Sequence, residues 1–110
     1  MNPKKELISQ AEVKTAETGN FCLKYYLLSS HSECYFSNES PDGILYGIAI
    51  KKEALHKGSV IAYEEESIWG FSYCKEEALK QILIYASMLV TPATLLYIAD
   101  DYFSKIQIIL

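Results

Sequence analysis

Hydrophobic residues recur at every second position through the first two-thirds of the chain, which is the period of a β-strand. In the first such segment, residues 10–17, Ala11, Val13 and Thr15 share one face while Glu12 and Lys14 share the other. The later segments are 21–28, 44–53 and 59–68, separated by turn-forming stretches at 18–20, 29–43 and 54–58. The pattern therefore predicts about four strands joined in series.

The hydrophobic spacing changes to that of a helix after Ser72, which is a suitable N-cap. Glu76 and Glu77 then suit the positive end of the helix dipole. The apolar positions that follow are Leu79, Ile82, Leu83, Ala86, Leu89 and Val90. With Ile84, Tyr85 and Met88 this helix is apolar nearly all round, which indicates burial on more than one side.

A second helix is predicted to start at Pro92, with Thr91 as its N-cap. Its apolar stripe is Leu95, Leu96, Ala99, Tyr102, Phe103, Ile106 and Ile109. The β-branched residues of segment 106–110 leave open whether that segment is helical or extended. The uncharged run between Lys80 and Asp100 is about long enough to span a bilayer, but Pro92 would break it. We therefore expect two buried helices instead of a membrane span.

Strands followed by helices are typical of an α+β fold. We expect one domain over residues 1–110, an antiparallel meander of about four strands with two C-terminal helices packed on one face. Half of the residues are hydrophobic, so a chain of this length can bury a core.

Composition narrows the class of function. The formal net charge is −4, and all ten basic residues are lysines. Arginine is the usual ligand of phosphate and guanine, so we expect no nucleic-acid partner. The three cysteines are odd in number and irregularly spaced, and the N-terminal residues do not form a signal peptide. These features predict a reduced cytoplasmic protein without a membrane partner.

Candidate chemical groups are few and scattered. Cys74 lies near the start of the first helix, where a thiol is activated, and His31 or His56 would have to approach it for Cys–His catalysis. Asp101 follows Asp100, and adjacent carboxylates on a helix point in different directions. We expect no catalytic residue, and name Cys74, His56 and Asp101 as candidates for the edge of a site.

A zinc site is also not expected. His31 and Cys34 form a His-x-x-Cys pair, which needs further ligands to complete a tetrahedral set. Those ligands would be Cys22, Cys74 and His56, and no Cys-x-x-Cys motif supports the set. The sequence therefore predicts neither a metal nor a cofactor, and the run Glu64-Glu65-Glu66 is interpreted as a solvated surface.

Tyrosines are placed on neighbouring strands, at Tyr25, Tyr26, Tyr46 and Tyr63. They could form an exposed binding surface, or bury their rings and leave the hydroxyl groups in water. The second interpretation is favoured.

Short motifs occur along the chain in a fixed order: a Tyr-Tyr-Leu strand at 25–27, a Tyr-Gly-Ile strand at 46–48, the Ser72-capped helix, Val-Thr-Pro at 90–92 and Asp101. In these motifs the chain resembles a family of small clostridial-type Firmicutes proteins of unknown function. The similarity covers roughly residues 20–103. It implies a bacterial protein and brings no activity or catalytic residue.

The function predicted from these features is a small non-enzymatic module that binds another protein. The alternative is a small-ligand binder or enzyme with a pocket between sheet and helices. Because leftover apolar surface tends to become an interface, we also expect a homodimer. Its expected contributors are Tyr85, Met88, Ile106, Ile108, Ile109 and Leu110.

Overall fold

A computed structural model describes residues 3–15, 19–31 and 43–98. Four strands precede two helices: β1 (Lys4–Thr15), β2 (Gly19–His31), β3 (Ile44–His56), β4 (Ser59–Ser72), α1 (Lys75–Ser87) and α2, described over residues 92–98. The strands form one sheet in the order β1-β2-β3-β4, and every neighbouring pair is antiparallel. The expected α+β meander with two C-terminal helices in contact with the sheet is confirmed.

The strands are longer than the predicted segments. β1 begins at Lys4 instead of residue 10, and β4 continues past Ile68 to Ser72. The charged residues at the start of β1 conceal the alternation, but pairing with the end of β2 gives their backbone a partner. The turn between β3 and β4 is only Lys57 and Gly58, with φ angles of 53° and 81°. Two such residues are typical of a type I′ hairpin.

The core lies between one face of the sheet and the helices. On β2 the predicted inward residues Leu23, Tyr25 and Leu27 are buried, and Ile48 and Ile50 lie beside them on β3. The helices supply the other half of the core, with Ala78, Ile82 and Tyr85 from α1 and Leu95 from α2. The residues described at 11, 13 and 15 are half-buried and those at 12 and 14 exposed, as the alternation predicts.

The prediction that Ser72 caps α1 is wrong. Ser72 is the last residue of β4 and pairs with Tyr46 of β3, so its backbone is held in the strand. The helix begins at Lys75 with Cys74 at the N-cap. The Ser72 hydroxyl instead accepts a hydrogen bond from the Cys74 N–H at 2.9 Å, which stabilises the strand-to-helix connection.

The end of α1 is a Schellman motif built without glycine. Val90 N–H donates to the Tyr85 carbonyl at 3.0 Å, and Leu89 N–H donates to the Ala86 carbonyl at 3.2 Å. Leu89 occupies the left-handed position, with φ of 53°. The helix therefore ends before Leu89, although hydrophobic spacing alone extends it to Val90.

α2 begins where the sequence predicts. Leu95 N–H donates to the Thr91 carbonyl at 3.0 Å, and the hydroxyl groups of Thr91 and Thr94 are 3.0 Å apart. Pro92 is buried at the first helical position. The two helices are thus separate, and within the described ranges no helix is both long and apolar enough to cross a membrane. The open question of segment 106–110 lies outside the described residues.

Tyr25 connects the sheet to the bend between the helices. Its side chain is fully buried, and its hydroxyl donates to the Val90 carbonyl at 2.9 Å. Burial raises the pKa of Tyr25 to about 12, because the phenolate would lose its hydration. This hydrogen bond fixes the position of the helix–helix connection over the middle of β2.

Candidate functional site

The structure separates the residues that sequence singled out for chemistry. Cys74 is exposed at the start of α1, beside the end of β4 that pairs with Tyr46. His56 is exposed at the opposite end of β3, ten residues from Tyr46. That distance along a strand is ~33 Å. Cys74 and His56 therefore cannot act on one substrate, and Asp101 lies outside the described residues.

The residues considered for zinc are also dispersed. Cys22 lies on β2, paired with Glu53 of β3, and burial raises the pKa of its thiol. His31 is at the other end of β2, and Cys34 lies outside the described residues. Within residues 3–15, 19–31 and 43–98, no group of three or more His, Cys, Asp or Glu side chains is placed to hold a metal ion.

A cavity of about 770 Å³ lies where the start of β1, the end of β2 and the start of β3 meet the first residue of α1. The residues that line it are Lys4, Lys5, Glu6, Leu7, Leu27, Ser29, Ser30, His31, Ile44, Tyr46 and Lys75. Its volume is in the range of small-molecule sites. Neither Cys74 nor His56 lines it. Sequence reasoning missed this group because its residues come from four separate elements, which only the strand pairing and the position of α1 bring together.

The sheet face opposite the helices is polar and internally neutralised. Lys24 Nζ lies 2.6 Å from Glu53 Oε1, and Lys51 Nζ lies 3.8 Å from Glu53 Oε2. The hydrogen bond from Lys24 lowers the pKa of Glu53 and raises the pKa of Lys24. Lys5 pairs with Glu65 across this face and lies 4.4 Å above the Tyr26 ring. The face therefore does not expose a continuous apolar surface.

The four strand tyrosines do not form one binding surface. Tyr25 is in the core with an internal partner for its hydroxyl, while Tyr26 and Tyr46 are half-buried. Tyr63 is exposed beneath Lys51, whose Nζ is 4.7 Å from the ring centroid.

Large apolar side chains are exposed on β1 and β4, and also on the two helices and the connection between them. We call Leu83, Met88, Leu89, Leu96 and Tyr97 the helical surface. Met88 is 68% exposed and Tyr97 is 78% exposed. Of the expected interface residues, Met88 belongs to this surface, while Tyr85 is 5% exposed and packs in the core. Ile106, Ile108, Ile109 and Leu110 lie outside the described residues.

Comparison with known proteins places the chain in a family but brings no chemistry. Searches of curated proteins and of solved structures found no match. The sequence matches a family of unknown function over residues 4–105, a range that includes all four strands and both helices. The chain therefore belongs to the family of unknown function DUF6514.

Proposed function

We propose that this chain is a small non-enzymatic protein-interaction module, and that the helical surface is its contact surface. The observation that carries the proposal is the exposure of Met88 and Tyr97 together with three leucines, which lie on α1, in the helix–helix connection and on α2. Cys74 and His56, by contrast, lie at opposite ends of the sheet.

A second copy of the chain is the proposed partner. No charged residue occurs between Lys80 and Asp100, so the helical surface brings no charge to an interface with its own copy. A two-fold contact uses the same patch on both subunits, which suits an uncharged apolar surface. The net charge of −4 is carried elsewhere on the molecule and opposes association only weakly at physiological ionic strength.

The resemblance to small clostridial-type Firmicutes proteins supports a bacterial source for this module. The irregular cysteines support a reducing cytoplasm, and the lack of arginine argues against a nucleic-acid partner.

Sedimentation at micromolar concentration tests the proposal. We expect a homodimer for the unaltered chain and a monomer for Met88→Lys, because two copies would bury an unpaired charge. Val60→Lys, at an exposed site on β4, is the matched control and should remain dimeric. A variant that lacks residues 106–110 measures how much this segment contributes to dimer formation. A monomer for the unaltered chain, unchanged by that deletion, would refute the dimer.

The cavity supports a second candidate, a small-ligand binder. Three lysines and His31 line it against one carboxylate, that of Glu6, and Leu27, Ile44 and Tyr46 supply apolar surface. Such a combination suits a small molecule with an apolar body and an anionic group.

A further inference from the structure

β4 is an edge strand with little protection. From Ser59 to Ser67 every residue is exposed, although the strand has two faces. Its exposed apolar side chains are Val60, Ile61, Tyr63 and Trp69. β3 pairs with one side of β4, and no other described strand pairs with it. An edge of this kind is a template for adding another strand.

Irregularities at both ends limit where a strand can add. Between Ala54 and Leu55 of β3 the partner on β4 moves from Ala62 to Val60, which leaves Ile61 as an extra residue. Between Tyr46 and Ile48 the partner moves from Ser72 to Ile68, which places extra residues near Gly70. Bulges bend a strand and interrupt pairing. The regular part of the edge is therefore residues 62–68.

The three glutamates occupy the centre of this regular stretch. Glu65 lies on the open face and pairs with Lys5. Glu64 and Glu66 lie on the other face, in register with Lys52 and Ile50, and neither makes an ion pair with any described residue. Lys52 Nζ instead lies 4.5 Å above the Phe21 ring. Two carboxylates two positions apart are thus available on one side of the edge.

These charges oppose pairing between two copies of β4. In an antiparallel pair centred on residues 62–68, Glu64 of each copy lies opposite Glu66 of the other. Like charges directly opposite one another destabilise a sheet. The same two carboxylates favour a strand with basic residues at the opposed positions, because opposite charges across strands are stabilising.

We propose that the β4 edge over residues 62–68 accepts an added strand from a protein segment with basic residues at alternate positions. Backbone hydrogen bonds to β4 supply affinity, and Glu64 and Glu66 set register and charge preference. This edge is distinct from the helical surface, and the proposal does not depend on the proposed dimer.

The probe is a peptide with capped ends that is as long as residues 62–68. It consists of valine and threonine, with two lysines at alternate central positions. Binding is followed by amide chemical shifts and titration in the Met88→Lys background, so that the helical surface does not contribute. We expect shifts in residues 62–68 and none in residues 9–15 of β1. The same peptide with glutamates in place of lysines should bind more weakly.

The decisive variant is Glu64→Gln with Glu66→Gln, and its matched control is Glu6→Gln with Glu12→Gln on the opposite edge strand. The first pair should weaken binding of the lysine peptide roughly two- to tenfold. It should also increase self-association of the chain, since the repulsion between copies is lost. The control pair should change neither peptide binding nor self-association. Shifts outside β4, equal weakening by the control, or no binding of the lysine peptide at millimolar concentration would overturn the proposal.

Discussion

At the level of single residues, the Tyr25 side chain connects the sheet to the bend between the two helices. Its ring lies in the core, and its hydroxyl reaches a backbone carbonyl sixty-five positions away, at Val90. A buried carbonyl that loses its donor costs free energy because water cannot replace it.

Tyr25→Phe is therefore expected to lower the free energy of unfolding by about 1–2 kcal/mol. The ring remains, so the loss comes from the hydrogen bond and not from a cavity. Tyr26→Phe, on the half-buried open face, is the control and should change stability by less than about 0.5 kcal/mol. Denaturant unfolding measures both variants, and equal losses would contradict this role of Tyr25.

The raised pKa of Tyr25 makes stability depend on alkaline pH. In the unfolded chain a tyrosine ionises near pH 10, whereas in the fold the pKa of Tyr25 is about 12. The folded state then binds more protons, so this stabilisation is complete below pH 10 and is lost as pH rises from about 10 to about 12. Between about pH 10 and pH 12, the free energy of unfolding should fall less steeply with pH for Tyr25→Phe than for the unaltered chain.

At the scale of elements, the end of α1 shows how tertiary packing overrides local preference. The Schellman motif requires a left-handed residue, a position that glycine usually fills. Leucine takes it here because Val90 must turn back into the core, where it is buried beside Tyr85. The left-handed conformation costs a leucine roughly 1–2 kcal/mol.

Leu89→Gly should consequently raise the free energy of unfolding by up to about 1 kcal/mol, since glycine adopts this φ without strain. Leu89 is 45% exposed, so the substitution loses little buried surface. Leu89→Ala is the matched control, because it shortens the side chain but keeps the Cβ strain. Thermal unfolding in the Met88→Lys background compares them, and a gain from alanine as large as that from glycine would contradict the explanation.

The irregularity of β4 near Gly70 explains why a glycine stands at position 47 of β3. Gly47, the fourth residue of β3, indicates that something packs closely against that strand. In the fold, a Cβ at Gly47 would collide with the Ile68 carbonyl oxygen and lie 3.1 Å from Trp69 Cα. The close neighbour is therefore the backbone of the adjacent strand where it bulges, not a ligand.

At the scale of the whole molecule, the two faces of the sheet differ. One carries the helices and the core, while the other is covered by lysine and glutamate side chains that pair across strands. The uncharged helical surface, the acidic β4 edge and the lysine-rimmed cavity lie in different parts of this arrangement. Each can therefore be tested without removing the others.

The cavity predicts a preference for anions. Decanoate should bind in the cavity more tightly than decyltrimethylammonium, which has a similar alkyl chain and the opposite charge. Lys4→Gln and Lys75→Gln should each weaken decanoate binding roughly two- to fivefold, as expected for partly exposed charges. Lys80→Gln, on the same helix but outside the cavity, is the control in calorimetric titrations. Equal affinity for the two amphiphiles would contradict the second candidate function, a binder of small anionic ligands.

Local sequence patterns predict the α+β class and most of the inward-facing residues. Alternation places Leu23, Tyr25 and Leu27 on one face of β2, and the Thr91-Pro92 pair predicts a break between helices, both as observed. These features are local, because a period of two and an N-cap with proline depend only on near neighbours.

The features that join distant segments follow from strand pairing and not from any local pattern. Pairing with Tyr46 keeps Ser72 in a strand, and pairing with the end of β2 extends β1 to Lys4. Register alone places Glu64 and Glu66 on one side of a regular edge between two bulges. Such relations depend on which strands become neighbours and where their registers shift, and no local pattern in a single sequence contains that information.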